Sequence, residues 1–346
     1  MTAAPLQRLH GGPGALGPVR WDFSSNANAA GPCPGALRAV QQADPRRYPD
    51  PAYHALCERL AAWHGVARER ILVAASASEF VQRLTAAGAR LLPGPVAVPA
   101  HAYGDYAVAA AASGRAVCHP GDAAHGTASL RWYADPGSPL GQGEPPPPGP
   151  GDRPTVLDAA YAPLRLDGQS AWTAGARDAV FQLHSPNKAL GLTGVRGAYA
   201  VAPLEAACDW PVRDLCAALR TAEPSWPLGA HAVALLGCWT DVSTQAWLHA
   251  ARRTLRGWAA TLGAGLHALG LQPLPSATPF CCALRPAAAT PAWLHARGLA
   301  VRDTASFGLP GRMRVSAQPP AATAALLAAL RAAQSSCTDA FNLHER

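Results

Sequence analysis

Short apolar runs alternate with stretches of helical period through the first two-thirds of the chain. Residues 70–73, 96–98, 116–119, 131–134, 155–157, 180–183 and 198–202 are short and mostly apolar, as strands buried on both faces are. Between them, residues 34–43 and 52–65 carry a helical period. In the second, Leu56, Leu60 and Trp63 share one face and Gly65 is placed as a C-cap. Helices are also expected from residue 79 to at least 87, and over 106–113, where Gly114 stops the run. This alternation predicts an α/β fold, a large domain with a mostly parallel central sheet flanked by helices.

Beyond residue 203 the pattern changes. Helices are expected over 214–221, 228–238 and 245–269, with Pro224-Ser225-Trp226-Pro227 as a break. Strands follow at 279–284, 301–303 and 314–316, with a helical stretch at 292–297. An Ala/Leu-rich helix over 321–333 closes the pattern. This is the signature of a smaller α+β C-terminal domain. The first residues are rich in Gly, Pro and Asn and read as an extended arm. The expected division is an arm over 1–35 packing on the small domain, a large domain over 36–225 and a small domain over 226–346.

Composition narrows the function classes. The chain has 346 residues, 49% hydrophobic and 15% charged, as in a soluble globular protein with a large core. Its net charge of +7 is carried by arginines. They do not cluster with aromatics, and no zinc-finger spacing occurs, so nucleic acid is not an expected partner. The nine cysteines include no Cys-x-x-Cys pair, so neither a disulfide framework nor a metal site is expected. There is no apolar run of membrane-spanning length and no secretory leader pattern, so a cytoplasmic protein is expected, away from membranes. The tract Gly143-Glu144-Pro145-Pro146-Pro147-Pro148-Gly149-Pro150-Gly151 reads as a surface loop in polyproline form.

Lys188 is the only lysine in the chain. Arginine stays protonated, whereas a desolvated lysine can lose its proton and form an imine. Lys188 lies just past a predicted strand, where ligands of open α/β sheets bind. Asp158 ends the preceding strand and Tyr161 follows it. Ser76, Ala77 and Ser78 form a small-residue loop opening a helix, where free N–H groups favour a phosphate. Tyr103 and Tyr106 follow the strand at 96–98. Taken alone, Lys188 also reads as a surface lysine, Asp158 suits a helix N-cap and Tyr103 a core position. Together the set suits pyridoxal 5′-phosphate: an amine for its carbonyl, an acid for its ring nitrogen, a hydroxyl for its phenolic oxygen, an aromatic for its face.

The motifs resemble those of fold-type I pyridoxal-phosphate enzymes of the class I/II aminotransferase superfamily. Asp158-Ala159-Ala160-Tyr161 matches D-x-A-Y. The run from Ser185 through Lys188 to Arg196 matches S-x-x-K-x-x-G-L-x-G-x-R. The resemblance implies that Lys188 is the Schiff-base residue, that Asp158 pairs with the ring nitrogen and that Tyr161 bonds its phenolic oxygen. Ser185 and Arg196 would hold the phosphate, Tyr103 would stack on the ring, and Tyr48 would reach the neighbouring subunit's phosphate in a homodimer. Arg314 would grip the substrate α-carboxylate. Within the superfamily, the arm from His10 to Asn28 and the segment Arg302-Asp303-Thr304-Ala305-Ser306-Phe307 resemble the threonine-phosphate decarboxylases of cobalamin biosynthesis. His10, Asn28 and Arg302 would then surround the substrate's phosphate and carboxylate.

Some positions depart from the pattern. Ser138 stands where the family has an Asn to bond the ring oxygen, and the phosphate cup has lost its first Gly at Ser76-Ala77-Ser78-Glu79. The resemblance implies decarboxylation of L-threonine O-3-phosphate to (R)-1-aminopropan-2-yl phosphate. Its alternatives are a histidinol-phosphate-type aminotransferase and a homologue that has drifted from catalysis.

Overall fold

The computed structural model describes residues 11–12, 16–149 and 151–342, with side chains to residue 335. A two-residue strand, β1 (Trp21–Asp22), is followed by helices α1 (Pro34–Gln42) and α2 (His54–His64). Gly65 ends α2 at φ +65°, a left-handed conformation glycine adopts without steric cost. The chain then lays down β2 (Ile71–Ala74), β3 (Val96–Ala97), β4 (Val117–Cys118), β5 (Leu130–Ala134), β6 (Thr155–Asp158), β7 (Phe181–His184) and β8 (Ala198–Val201). Helices α3 (Ala77–Leu91), α4 (Gly104–Ala112) and α5 (Ala174–Asp178) run between them.

These seven strands form one sheet in the order β2-β8-β7-β6-β5-β3-β4. Within it, β8 runs against its two neighbours and the remaining pairings are parallel. The apolar runs are continuous because helices cover both faces. On one face Phe80, Leu84, Tyr106 and Leu215 pack against Trp132, Phe181 and Leu183. On the other, Tyr53, Leu60, Leu235 and Leu255 pack against Val73, Tyr199 and Val201.

Helices α6 (Val212–Thr221), α7 (Ala230–Trp239) and α8 (Val242–Ala268) lead to the second region. There, β9 (Phe280–Leu284), α9 (Pro291–His295), β10 (Leu299–Ala300), β11 (Arg302–Asp303), β12 (Arg312–Ser316) and α10 (Pro320–Asn342) complete the fold. Strands β11, β12 and β9 make an antiparallel sheet in that order. The arm joins this region. Trp21 pairs with Leu299, and Phe23 is buried among Leu262, Met313 and Leu326.

The expected boundary at 225/226 does not coincide with a break in packing. Leu235 and Leu236 of α7, and Leu248 and Leu255 of α8, lie in the large-sheet core. Leu262 and Leu266 of the same α8 lie in the core of the second region. A 27-residue helix spans both, so the change of core falls within α8.

Candidate active site

A cavity of about 790 Å³ opens where the carboxyl ends of the parallel strands face β11, β12 and the arm. Asp158, the last residue of β6, is buried at its wall. Asp158 Oδ2 accepts the Tyr106 hydroxyl at 2.6 Å, and Oδ1 accepts the Ala160 N–H at 2.9 Å. Tyr161 follows in the same turn. Its hydroxyl accepts from Asn26 Nδ2 at 3.1 Å, and its ring sits edge-on to Phe280.

Lys188 enters from the turn after β7, with Nζ 5.5 Å from the centre of the Tyr161 ring. Hydrogen bonds hold that turn in place. The Lys188 carbonyl accepts from the N–H groups of Asn28, at 2.9 Å, and Gly191, at 3.2 Å. Asn28 Nδ2 donates to the Ala189 carbonyl at 2.9 Å. Ser185 Oγ donates to Asn187 Oδ1, and Asn187 Nδ2 reaches the Val195 carbonyl at 3.2 Å. Gly191, at φ +68°, lies so close to the arm that a Cβ would sit 2.8 Å from the Gly31 carbonyl oxygen. Ser185 and Arg196 line the cavity, Arg196 with its side chain exposed.

The N-terminus of α3 presents Ala77 and Ser78 to the cavity. Ser78 Oγ lies 2.9 Å from the Tyr103 hydroxyl, which donates to Asp105 Oδ2 at 2.7 Å. Burial, and then the Asp105 charge, push the Tyr103 phenol well up. Ser76 is not at the cavity lining; its hydroxyl caps α3 by accepting from Glu79 N at 3.1 Å. Glu79 reaches back to the Ala75 N–H at 3.1 Å, a variant of the capping box. Two of the three expected cup residues therefore face the cavity, while Ser76 shapes the helix start.

The opposite wall is cationic. Arg302 and Arg314 are cross-strand partners on β11 and β12, and both line the cavity. Both are buried, and Phe307 lies under both guanidiniums, 4.8 Å from one and 5.8 Å from the other. Arg302 donates to the Asp303 carbonyl at 2.7 Å and to Ser306 Oγ at 2.8 Å. Arg314 donates to Ser138 Oγ at 2.8 Å and to the Ser24 carbonyl at 2.7 Å, and among the described residues its Nε has no partner. Among the described residues no carboxylate pairs with Arg314. Burial lowers the pKa of both arginines, and Arg314 adds to the effect on Arg302. Like charges set opposite each other on adjacent strands are unfavourable without an anion between them.

One expected substrate-binding position, Asn28, differs from its placement. Asn28 does not line the cavity; it is buried behind the Lys188 turn, where it holds that turn's backbone. Asn26, two residues earlier, lines the cavity instead, with Oδ1 buried and, among the described residues, without a partner. The chain bends between them, so the second Asn of the motif turns inward. Tyr48 is 77% exposed, stacked on Trp226 at 4.4 Å and absent from this chain's cavity lining. Ser138 lines the cavity with its hydroxyl held by Arg314. His10 lies outside the described residues. Asn26 lies within the arm from His10 to Asn28 and Tyr106 just past the strand at 96–98, yet the sequence assigned neither a contact in the site.

The donor set fits pyridoxal 5′-phosphate. A lysine, a buried carboxylate and a tyrosine hydroxyl converge beside a helix N-terminus that lines the cavity. The partnerless Asn26 Oδ1 and Arg314 Nε leave polar atoms for ligands to satisfy. Among the described residues no helix is long and apolar enough to cross a membrane.

Residues 152–332 match the model of aminotransferase class I and II. A histidinol-phosphate aminotransferase of Ruegeria pomeroyi is 28% identical, over 90% of this chain and 90% of its own length. Histidinol-phosphate aminotransferase 1 of Thiobacillus denitrificans is 30% identical, over 85% of this chain and 80% of its own. The fold resembles histidinol-phosphate aminotransferase from Sinorhizobium meliloti, solved in complex with pyridoxal-5′-phosphate. That match has a TM-score of 0.75 and 23% identity, covering 97% of this chain and 98% of the other. It also resembles L-threonine-O-3-phosphate decarboxylase from Porphyromonas gingivalis, with a TM-score of 0.74 and 21% identity, covering 90% and 98%. With the lysine, the carboxylate and the parallel sheet in the expected order, the chain belongs to the class I and II aminotransferases, enzymes of the fold-type I pyridoxal-phosphate superfamily.

Proposed function

We propose that the protein is an aminotransferase for a phosphorylated amino compound of the histidinol-phosphate type, with a 2-oxo acid as its second substrate. The observation that carries this reading is the facing pair Arg302 and Arg314, turned into the cavity that Lys188 enters. Such an enzyme binds a phosphate in one half-reaction and a dicarboxylic acid in the other, in the same place. Two adjacent guanidiniums serve both, because each offers forked donors to carboxylate or phosphate oxygens. The relatives named above support transamination over the decarboxylation expected from the arm.

Pyridoxal 5′-phosphate bound in the cavity supplies an electron sink for the bonds at the substrate α-carbon. Lys188 would hold the cofactor through its amine, and the same amine is placed to take the proton from the substrate Cα. Asp158 would face the ring nitrogen, Tyr161 the phenolic oxygen and Tyr103 the ring face. The α3 N–H groups at Ala77 and Ser78, with Ser185 and Arg196, would hold the cofactor phosphate. Tyr48 reaches the neighbouring subunit's site in a homodimer; its exposure and its stacking on Trp226 support this.

A second reading, decarboxylation of L-threonine O-3-phosphate, draws support from the arm. Gly12 N donates to Ser24 Oγ at 2.8 Å, and a Cβ on Gly11 would stand 3.2 Å from Arg314 Nη2. The arm thus closes over the carboxylate-binding arginine, as holding a carboxylate upright would need. The two readings are separated by incubating the protein with histidinol phosphate plus 2-oxoglutarate, and separately with threonine phosphate. Glutamate formed in the first mixture is expected. Release of CO₂ in the second, with no glutamate in the first, overturns the proposal in favour of decarboxylation.

A further inference from the structure

Tyr106 has no place in the scheme above, yet it is the most deeply set polar side chain beside the site. It lies in the first turn of α4, 1% exposed. Its ring stacks on Trp132 of β5, with centroids 4.5 Å apart and planes 12° from parallel. Tyr103 meets it edge-on at 5.7 Å. Among the described residues its hydroxyl has one hydrogen-bond partner, Asp158 Oδ2, at 2.6 Å. That length is typical of an O–H donor to a carboxylate.

We propose that Tyr106 is a positioning residue for the cofactor: its hydroxyl fixes the Asp158 carboxylate and holds its negative charge, so that the proton stays on the ring nitrogen. The inference rests on the reading that Asp158 faces that nitrogen. The carboxylate is held at both oxygens, by Tyr106 on one and the Ala160 N–H on the other. Each oxygen has two acceptor sites, so each can still take one more donor. A carboxylate held twice cannot turn, and the remaining acceptor direction is set by the protein. A hydrogen bond to the charged form favours that form. Without the hydroxyl, the proton between ring and carboxylate moves toward Asp158, and the ring becomes a poorer electron sink. Burial and the Asp158 charge push the Tyr106 phenol far up, so it remains a donor at any working pH. A phenylalanine would fill the same space against Trp132; the oxygen is needed only for Asp158.

Tyr106→Phe tests this with the full chain. The expected results are a cofactor dissociation constant raised about tenfold, as for a lost hydrogen bond to a charged group, and a displaced pH titration of the cofactor's visible absorbance band. KM for the amino substrate should stay within about twofold, because uniform substrate binding is untouched. Asp158→Asn is measured alongside. If that variant leaves affinity and band as in wild type, the reading of Asp158 fails and the inference with it. If Asp158→Asn moves both while Tyr106→Phe moves neither, only the role of Tyr106 is overturned. Should Tyr106→Phe fail to fold, Trp132→Phe decides: it loosens the stack and keeps the hydroxyl. A displaced band then supports the inference, and an unmoved band overturns it.

Discussion

Two walls of one cavity are built in different ways. Asp158 and Lys188 reach it from adjacent parallel strands, each within five residues of its strand's end. Arg302 and Arg314 reach it from a separate antiparallel sheet and face an arm whose Ser24 carbonyl accepts from Arg314. The first wall depends on short segments whose geometry is local. The second depends on three segments brought together by register and packing. Local geometry survives drift in the rest of the chain, whereas an assembled wall can change its ligand by moving one segment. On the proposed reading, the first wall holds the cofactor and the second holds the substrate anion.

The largest expected effect tests the cofactor wall. Lys188→Ala should lower kcat by about 10⁴-fold or more, as removal of a catalytic nucleophile does, and abolish the cofactor's visible band. Lys188→Arg keeps the charge but offers no amine, so it should fail equally. Activity in either variant would break the contrast between the walls. On the cationic wall, Arg314→Ala should cost about 10²–10³-fold in kcat/KM, because the substrate anion loses its buried partner. The cofactor dissociation constant should stay within about threefold, since Arg314 bonds Ser138 and Ser24 and, among the described residues, makes no hydrogen bond to Lys188, Asp158 or Tyr161. A large loss of cofactor affinity in that variant would show that the walls are energetically one unit.

The same contrast explains what could be read from the sequence. The central strands were legible because they are buried on both faces and run continuously apolar. That Lys188, Asp158 and Tyr161 share one cavity was legible because each lies at, or within four residues of, the end of its strand. Strand β1 carries no period in two residues, and its partner Leu299 lies far along the chain. The sequence puts the boundary at 225/226, whereas the core changes within α8, one uninterrupted helix shared by two cores; a helical period says nothing of which core it faces. The pairing of Arg302 with Arg314 is a matter of strand register. Composition and motif spacing do not carry register.

Smaller effects sharpen the division within the arm. Asn28→Ala removes a buried donor to the Ala189 carbonyl and frees the Lys188 turn. It should cost about 1–3 kcal/mol in urea unfolding and weaken cofactor binding with it. Asn26→Ala, facing the cavity, should instead act on turnover, lowering kcat/KM by about tenfold with stability changed by less than about 1 kcal/mol. If the two variants exchange phenotypes, the placement of the arm relative to the Lys188 turn is wrong.

The least of these effects is a difference in acid sensitivity between the two walls. Behind the cofactor wall, on the far face of the sheet, His64 Nε2 lies 2.9 Å from the Tyr199 hydroxyl. His184, the residue before Ser185, stacks on the Tyr199 ring at 5.0 Å. Burial lowers the His64 pKa from 6.5 to about 4 and holds His184 well below its usual value, with Arg177 opposing a charge on both. Both imidazoles are therefore neutral when folded, and the unfolded chain binds more protons. Stability then rises with pH and is lost as pH falls from about 6.5 toward 4. Urea unfolding of the apoprotein across that window should show the loss, and His184→Phe, which keeps the stack on Tyr199, should flatten it. A wild-type slope of zero would mean that charging these histidines costs the fold nothing. A slope unchanged in the variant would move the acid-sensitive group to His64 alone, whose ring still contacts Tyr199.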